Sequence, residues 1–235
     1  MYWEEEKKSK PEYQVPDDVM DLIFKIECKV ISLDHAQSLC SALCNALPWL
    51  QDEPLAGIHL IHAAESGNGW IRPEISENEV LNLSKRTKLQ LRLPKHRIED
   101  AQKLEGMTII VDDYKLNIRE SASRKLTKSP IIFSRHVLSE DSDEAEFLTK
   151  VHQQLKEMGV RVRKMMCGKR CKHKLKSDTM MTRSLMIAEL DVEESVLLQQ
   201  QGLGAARLLG CGLFLPHKGI IAVNDTNDKI QTKDF

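Results

Sequence analysis

The spacing of apolar residues switches period early in this chain, and that switch limits the fold more than composition does. From Val19 to Ser32, Leu22, Phe24, Ile26, Cys28 and Val30 alternate with Ile23, Lys25, Glu27 and Lys29, the period of a half-buried strand. From His35 to about Leu50 the period is helical, carried by Leu39, Leu43 and Leu47 with Cys40, Cys44 and Leu50, and Asp34 is the expected N-cap. After Pro54, GIHLIHAA reads as a strand, ESGNGW as a turn and Lys88 to Leu93 as a strand. His96 to Leu104 reads as a helix ended by Gly106, and MTIIVDD with YKLNIR supplies a last pair of strands. Strand, helix, strand, strand, helix, strand is the order of the split βαβ, or ferredoxin-like, arrangement.

The second half repeats that order. Ile131 to Leu138 reads as a strand, and Asp143 to Met158 as a helix with Phe147, Val151, Leu155 and Met158 on one face, closed by Gly159. Val160 to Cys167 and Cys171 to Leu175 are expected to be the two arms of a hairpin. Arg183 to Leu190 follows as a strand, Val192 to Gln201 as a helix, and Leu213 to Val223 as a strand bent at Pro216 to Gly219. The expectation is an α+β protein of two tandem ferredoxin-like domains, 19–125 and 126–235, after a flexible charged lead-in over 1–18. With 235 residues, 41% of them hydrophobic, two such cores can be filled. No stretch approaches the roughly 18 apolar residues of a membrane span, and MYWEEEKKSK lacks the apolar run of a signal peptide. A soluble, cytoplasmic protein without membrane partners is expected.

Net charge is −1, so charge informs only when resolved along the chain. Between Arg161 and Arg183 lie Arg161, Arg163, Lys164, Lys169, Arg170, Lys172, Lys174, Lys176 and Arg183, opposed only by Asp178. A hairpin of that charge density suits a phosphate backbone, where each neutralised phosphate releases a condensed counterion. It has no Phe, Tyr or Trp, which argues against a surface that stacks successive bases.

Cys167, Cys171 and His173, with Cys211 more distant, could suggest a zinc site, but the second tight ligand pair of a closed site is missing. No metal or cofactor is expected.

QQGLGAARLLGCGLFLP places Gly202, Gly204, Gly210 and Gly212 around Arg207. The spacing is neither the dinucleotide fingerprint nor a P-loop. Four glycines at a helix end let backbones approach closely and expose amides that can cradle phosphate; tight packing of a helix-to-strand connection is the other reading.

GLGAARLLGCGLF resembles the glycine-rich signature of the repeat-associated mysterious protein (RAMP) superfamily. More narrowly the chain resembles the CRISPR-associated endoribonuclease that processes precursor CRISPR RNA. The resemblance runs from about Val19 to Val223 through LDHAQSLCSAL, GIHLI and GLGAARLLGCGLF, and Leu33 to Leu43 and Gly202 to Phe214 are most similar to the subtype named after Myxococcus. It implies metal-independent cleavage within a repeat by attack of the ribose 2′-hydroxyl, leaving a 2′,3′-cyclic phosphate. It also implies retention of the mature guide RNA in a Cascade-type complex with other CRISPR-associated subunits.

Such chemistry needs a base, an acid and positive charge near the phosphorane, and histidine fits near neutral pH. By the resemblance, the catalytic histidine lies in or near the first helix, which is His35 here. His59 and His62, three apart on one strand, are expected to face opposite sides, and His59 competes with His35 for the role. His173 and His217 are expected to meet RNA or solvent. Lys29, Ser38 and Tyr114 are open candidates for a second catalytic group. RNA contacts are assigned to Arg207 with Gly202, Gly204, Gly210 and Gly212, and to Arg161, Arg163, Lys169, Arg170, Lys172 and Lys174, with Arg170 as the reader of a base edge. A RAMP subunit that binds guide RNA without cleaving it is the alternative; an unrelated enzyme with an anionic substrate lacks any nucleotide motif.

Overall fold

A computed structural model describes residues 13–62, 80–140 and 143–217. ESGNGW and the chain beyond His217 lie outside them, as does part of the acidic run at Glu140 to Glu146. The molecule is a mixed α/β protein whose sheets are antiparallel. In chain order the strands and helices are β1 (Val19–Glu27), β2 (Val30–Ser32), α1 (Ala36–Ala46), β3 (Gly57–His59), β4 (Val80–Asn82), β5 (Lys88–Pro94), α2 (Ile98–Gln102), β6 (Thr108–Val111) and β7 (Tyr114–Lys125). They continue with β8 (Ile132–Leu138), α3 (Glu144–Glu157), β9 (Lys164–Lys174), β10 (Thr179–Ala188), α4 (Val192–Gln201) and β11 (Leu215–Pro216). A five-stranded sheet has the order β3-β5-β1-β7-β6 and a four-stranded sheet β11-β8-β10-β9.

Leu22, Phe24 and Ile26 of β1 point into the first core beside Leu39 and Leu43 of α1, and each of these five is buried. Covering a leucine of this kind contributes roughly 1.5–3 kcal/mol. The alternation expected to run to Ser32 stops at Glu27. The chain then restarts as β2, where Ile31 is the buried residue, and pairs with β4 in a separate ribbon. Pro48 ends the helical backbone of α1 early, because proline cannot continue a helix, and Pro48–Asp52 forms a 3-10 turn. The N-cap is His35 and not Asp34, and among the described residues of GIHLIHAA, 57–62, the strand is Gly57–His59.

The second core gathers Phe147, Val151 and Leu155 of α3 against Leu185 and Ile187 of β10. Asp143 caps α3 by accepting from the Glu146 amide, and Asp191 with Glu194 forms a capping box on α4. The expected hairpin within 160–175 is absent. β9 runs unbroken through Gly168 and turns back at 175–178 into β10, with Cys171 opposite Thr182 and Cys167 opposite Leu185. Gly168 serves closeness and not a turn: β10 shifts register between Arg183 and Leu185, and a Cβ on Gly168 would lie 2.4 Å from Ser184 Oγ.

Candidate functional site

The two sheets meet along a seam crossed by two arginines. Arg92 of β5, fully buried, is held bidentately by Asp21 (Nε to Oδ1 2.9 Å, Nη2 to Oδ2 3.2 Å) and donates through Nη1 to the carbonyls of Gln199 (2.9 Å) and Phe214 (2.7 Å). Burial alone would raise the Asp21 carboxyl, but the Arg92 guanidinium holds it below the usual carboxylate range. Arg207 reaches the other way, donating to the carbonyls of Leu55 (2.8 Å) and Ala56 (3.3 Å) and to those of Gln200 and Gln201.

A cleft of about 780 Å³ opens along this seam. The first half contributes His59, His62, Arg86, Lys88 and Gln90; the second contributes Arg135, His136, Gly210, Leu213 and His217. Imidazoles beside cations are the groups that stabilise and shuttle protons around a phosphodiester. His59 and His62 share this cleft, correcting the expectation of opposite faces, because β3 ends at His59 and its alternation no longer governs His62. Burial, reinforced by Arg92, pushes the His59 imidazole down to about 3, so it stays neutral, and its Nε2 makes no hydrogen bond.

His62 stacks on His136 with ring centroids 6.0 Å apart and planes inclined by 25°. His136 Nδ1 is 3.4 Å from Thr182 Oγ1, and His173 Nε2 is 3.1 Å from the same oxygen. The His173 ring stands edge-on to His136 at 4.6 Å, and its Nδ1 is 3.7 Å from Asp34 Oδ1. His173 is 1% exposed, which corrects the expectation that it meets RNA or solvent. His217 does line the cleft, with its ring 5.7 Å from that of Phe133.

His35 sits elsewhere. It is 2% exposed, its Nδ1 lies 2.8 Å from the Ser32 carbonyl, and its Nε2 accepts from the Ile61 amide at 3.0 Å. With Nδ1–H donating and Nε2 accepting, both nitrogens of the neutral ring are spent on backbone. The expected catalytic base is thus a buried tie between the start of α1 and the segment after β3. Ser38 donates to the His35 carbonyl, Lys29 is exposed and Tyr114 is half-buried; none of the three lines the cleft.

The basic segment divides into two parts. At its start, Arg163 donates to Asp191 Oδ2 (2.6 Å) and Glu194 Oε2 (2.8 Å), Arg161 stands 3.8 Å from Asp191, and Lys164 pairs with Glu189. Arg163 therefore clasps the N-terminus of α4, its guanidinium engaged by two carboxylates where an RNA contact is expected. Further along, Lys169, Arg170, Lys172 and Lys174 are exposed on β9, an edge strand, and Arg170 donates to the Glu140 carbonyl at 3.2 Å.

Arg207 and three of its glycines also serve the fold. Burial and the neighbouring Arg92 push the Arg207 guanidinium down to about 10, still cationic at neutral pH, but carbonyls occupy it. Gly202, Gly210 and Gly212 all have positive φ, and added Cβ atoms would meet Arg207, Leu60 and the Leu203 carbonyl. The loop closes on itself through Leu203 N to Gly212 O (3.0 Å) and docks on β8 through Gly212 N to His136 O (2.7 Å). Gly204 alone of the four faces open space. Tight packing is the reading that the geometry of this loop supports.

Sequence reasoning missed His136, Thr182 and Arg92. Only a buried arginine inside the apolar run KLQLRL carried a signal, since an arginine on a strand's covered face requires partners.

A sequence model of the Cas6 CRISPR family matches residues 20–219. The chain is 27% identical over 198 residues to the CRISPR-associated endonuclease Cas6 of Myxococcus xanthus (strain DK1622), covering 84% of this chain and 81% of that protein. A Cas6-related protein from Pyrococcus furiosus superposes with a TM-score of 0.57 at 14% identity, over 83% of this chain and 97% of the other. A structure described as a RAMP protein binding different RNA substrates gives 0.56 at 10% identity, over 85% and 100%. These two likenesses concern the fold.

Proposed function

Because the chain belongs to the Cas6 CRISPR family, we propose that it is an endoribonuclease that cuts precursor CRISPR RNA within its repeats. The observation that carries the reading is the seam cleft, where histidines, Arg86, Lys88 and Arg135 surround a space large enough for a nucleotide step. An RNA strand there is flanked by groups able to take a proton from a 2′-hydroxyl, give one to a departing 5′-oxygen and neutralise the phosphorane between them. The reaction on this reading needs no metal and leaves a 2′,3′-cyclic phosphate. On this reading exposed Lys169, Arg170, Lys172 and Lys174 of β9 hold the phosphate backbone of the repeat, and Arg170 is assigned the reading of a base edge. The two sheets are read as two tandem ferredoxin-like domains, divided near residue 126, and the product stays bound as the guide of a Cascade-type assembly.

The test is cleavage of a labelled CRISPR repeat RNA with EDTA present, beside the same RNA carrying a 2′-deoxy nucleotide at the scissile position. Cleavage that survives EDTA and stops with the 2′-deoxy substrate is the expected result. Tight binding without cleavage would replace the enzyme by an RNA-holding subunit.

A further inference from the structure

We propose that Gln90, with its cross-strand neighbour His59, is the floor of a pocket that takes one unpaired nucleobase of the RNA and reads its edge. The inference rests on the endoribonuclease reading above and names what selects the substrate in the same cleft.

Gln90 of β5 stands opposite His59 of β3, and both line the seam cleft. Gln90 Nε2 is buried and has no hydrogen-bond partner among the described residues. The same holds for His59 Nε2, since Asp21 Oδ1, 4.0 Å away, is too far to bond. A buried donor that gives up water and gains no partner is costly, so folded chains keep few of them. Arg92 is the contrast: two residues on along the same face of β5, it is met by a carboxylate and two carbonyls. Arg92 serves the joining of the two halves, and the Gln90 amide is left to meet something that enters the cleft.

What it can meet follows from charge and shape. His59 stays neutral because burial holds its imidazole down to about 3, and an amide does not ionise, so the pair offers a phosphate little. A nucleobase is neutral and flat, and its edge carries donors and acceptors side by side, which an amide matches with donors and an acceptor of its own. In a duplex that edge is taken by the partner base, so the pocket suits an unpaired one. The terminal torsion of glutamine is broad and two-fold, so its NH2 group can turn toward a base without movement of the strand. Leu213 and Phe133 of the second half supply apolar surface in the same cleft. Lys88, exposed and about 7 Å along the strand on the Gln90 face, supplies a cation for the attached phosphate.

The experiment measures binding of a labelled CRISPR repeat RNA, and of a series in which one nucleotide at a time is made abasic, to wild type and to Gln90→Leu. In wild type, loss of one particular base should weaken binding about tenfold. Gln90→Leu should bind the intact repeat about tenfold more weakly and no longer respond to that base, with every other position behaving as in wild type. It should also melt no lower than wild type, because it removes an unmet donor, whereas a residue that only supports the fold would lower the melting temperature. Gln90→Met, unbranched like glutamine, is carried alongside so that a misfit of leucine's branch is recognised. An abasic profile that both variants share with wild type, or a lower melting temperature in both with binding weakened equally at every position, overturns the assignment. Because the readout is binding, wild-type protein that holds the repeat without cutting it fails the endoribonuclease reading while the Gln90 profile still decides the pocket; protein that binds no repeat overturns both.

Discussion

Arg92 and Arg207 cross the seam in opposite directions, each guanidinium donating to two carbonyls of the other half. Arg207→Ala should therefore cost about 3 kcal/mol of stability, because buried carbonyls lose charge-assisted donors, while the salt dependence of RNA binding by the folded fraction stays unchanged. Denaturant unfolding together with a salt titration of RNA binding checks both halves of this expectation.

The β9 cations divide into clasp and contact. Lys172→Ala and Lys174→Ala should each lower the slope of log K against log salt by about one, since each removes a phosphate neutralisation. Arg163→Ala should leave that slope alone and lower the melting temperature, because its partners are Asp191 and Glu194. A fall in slope for Arg163→Ala would return it to the RNA.

The glycines of the C-terminal loop separate by what surrounds them. Gly212→Ala puts a Cβ 2.0 Å from the Leu203 carbonyl oxygen, a backbone atom that cannot swing aside, and should abolish soluble expression. Gly204→Ala meets nothing within 4 Å and should cost only about 1 kcal/mol for its positive φ. Thermal melts of the two variants are the measurement.

His59 gives stability a pH dependence of known sign. Its folded-state value is depressed to about 3 from 6.5 by burial, then by Arg92, Arg207 and Arg124, against the opposing pull of Asp21. Below about 6.5 the unfolded chain gains a proton that the folded chain refuses, so its contribution is full above that pH and drains away as pH falls toward 3. The slope reaches about 1.4 kcal/mol per pH unit, and His59→Leu should flatten it in urea melts between pH 7 and 5.

Local signals reported local structure well. Asp143, Gly159 and the Phe147–Val151–Leu155 stripe gave α3 nearly to the residue, and Val192–Gln201 was legible in full, because caps and periodicity act within a few positions. Gly168-Lys169-Arg170 looked like a turn only because glycine's second use, letting Ser184 close in from the next strand, is invisible until the register is known. The charge count over 161–183 failed for the same reason: Glu189, Asp191 and Glu194 lie outside that window and come alongside through the hairpin. His136 carried no signal at all, its hydroxyl partner being 46 residues away.

Among the described residues β9 is the last strand of its sheet, and its outer row of amides and carbonyls faces no neighbouring strand there. Such a rim is a template on which a second molecule's strand can add, and lysines along it are what prevent that. The side chains assigned to hold RNA are thus also guards against self-association, and Met166, 61% exposed on the same strand, shows what they guard. Neutralising all of them at once would create an adhesive surface as well as remove a ligand site, so the chain has reason to keep this rim basic even when no RNA is bound.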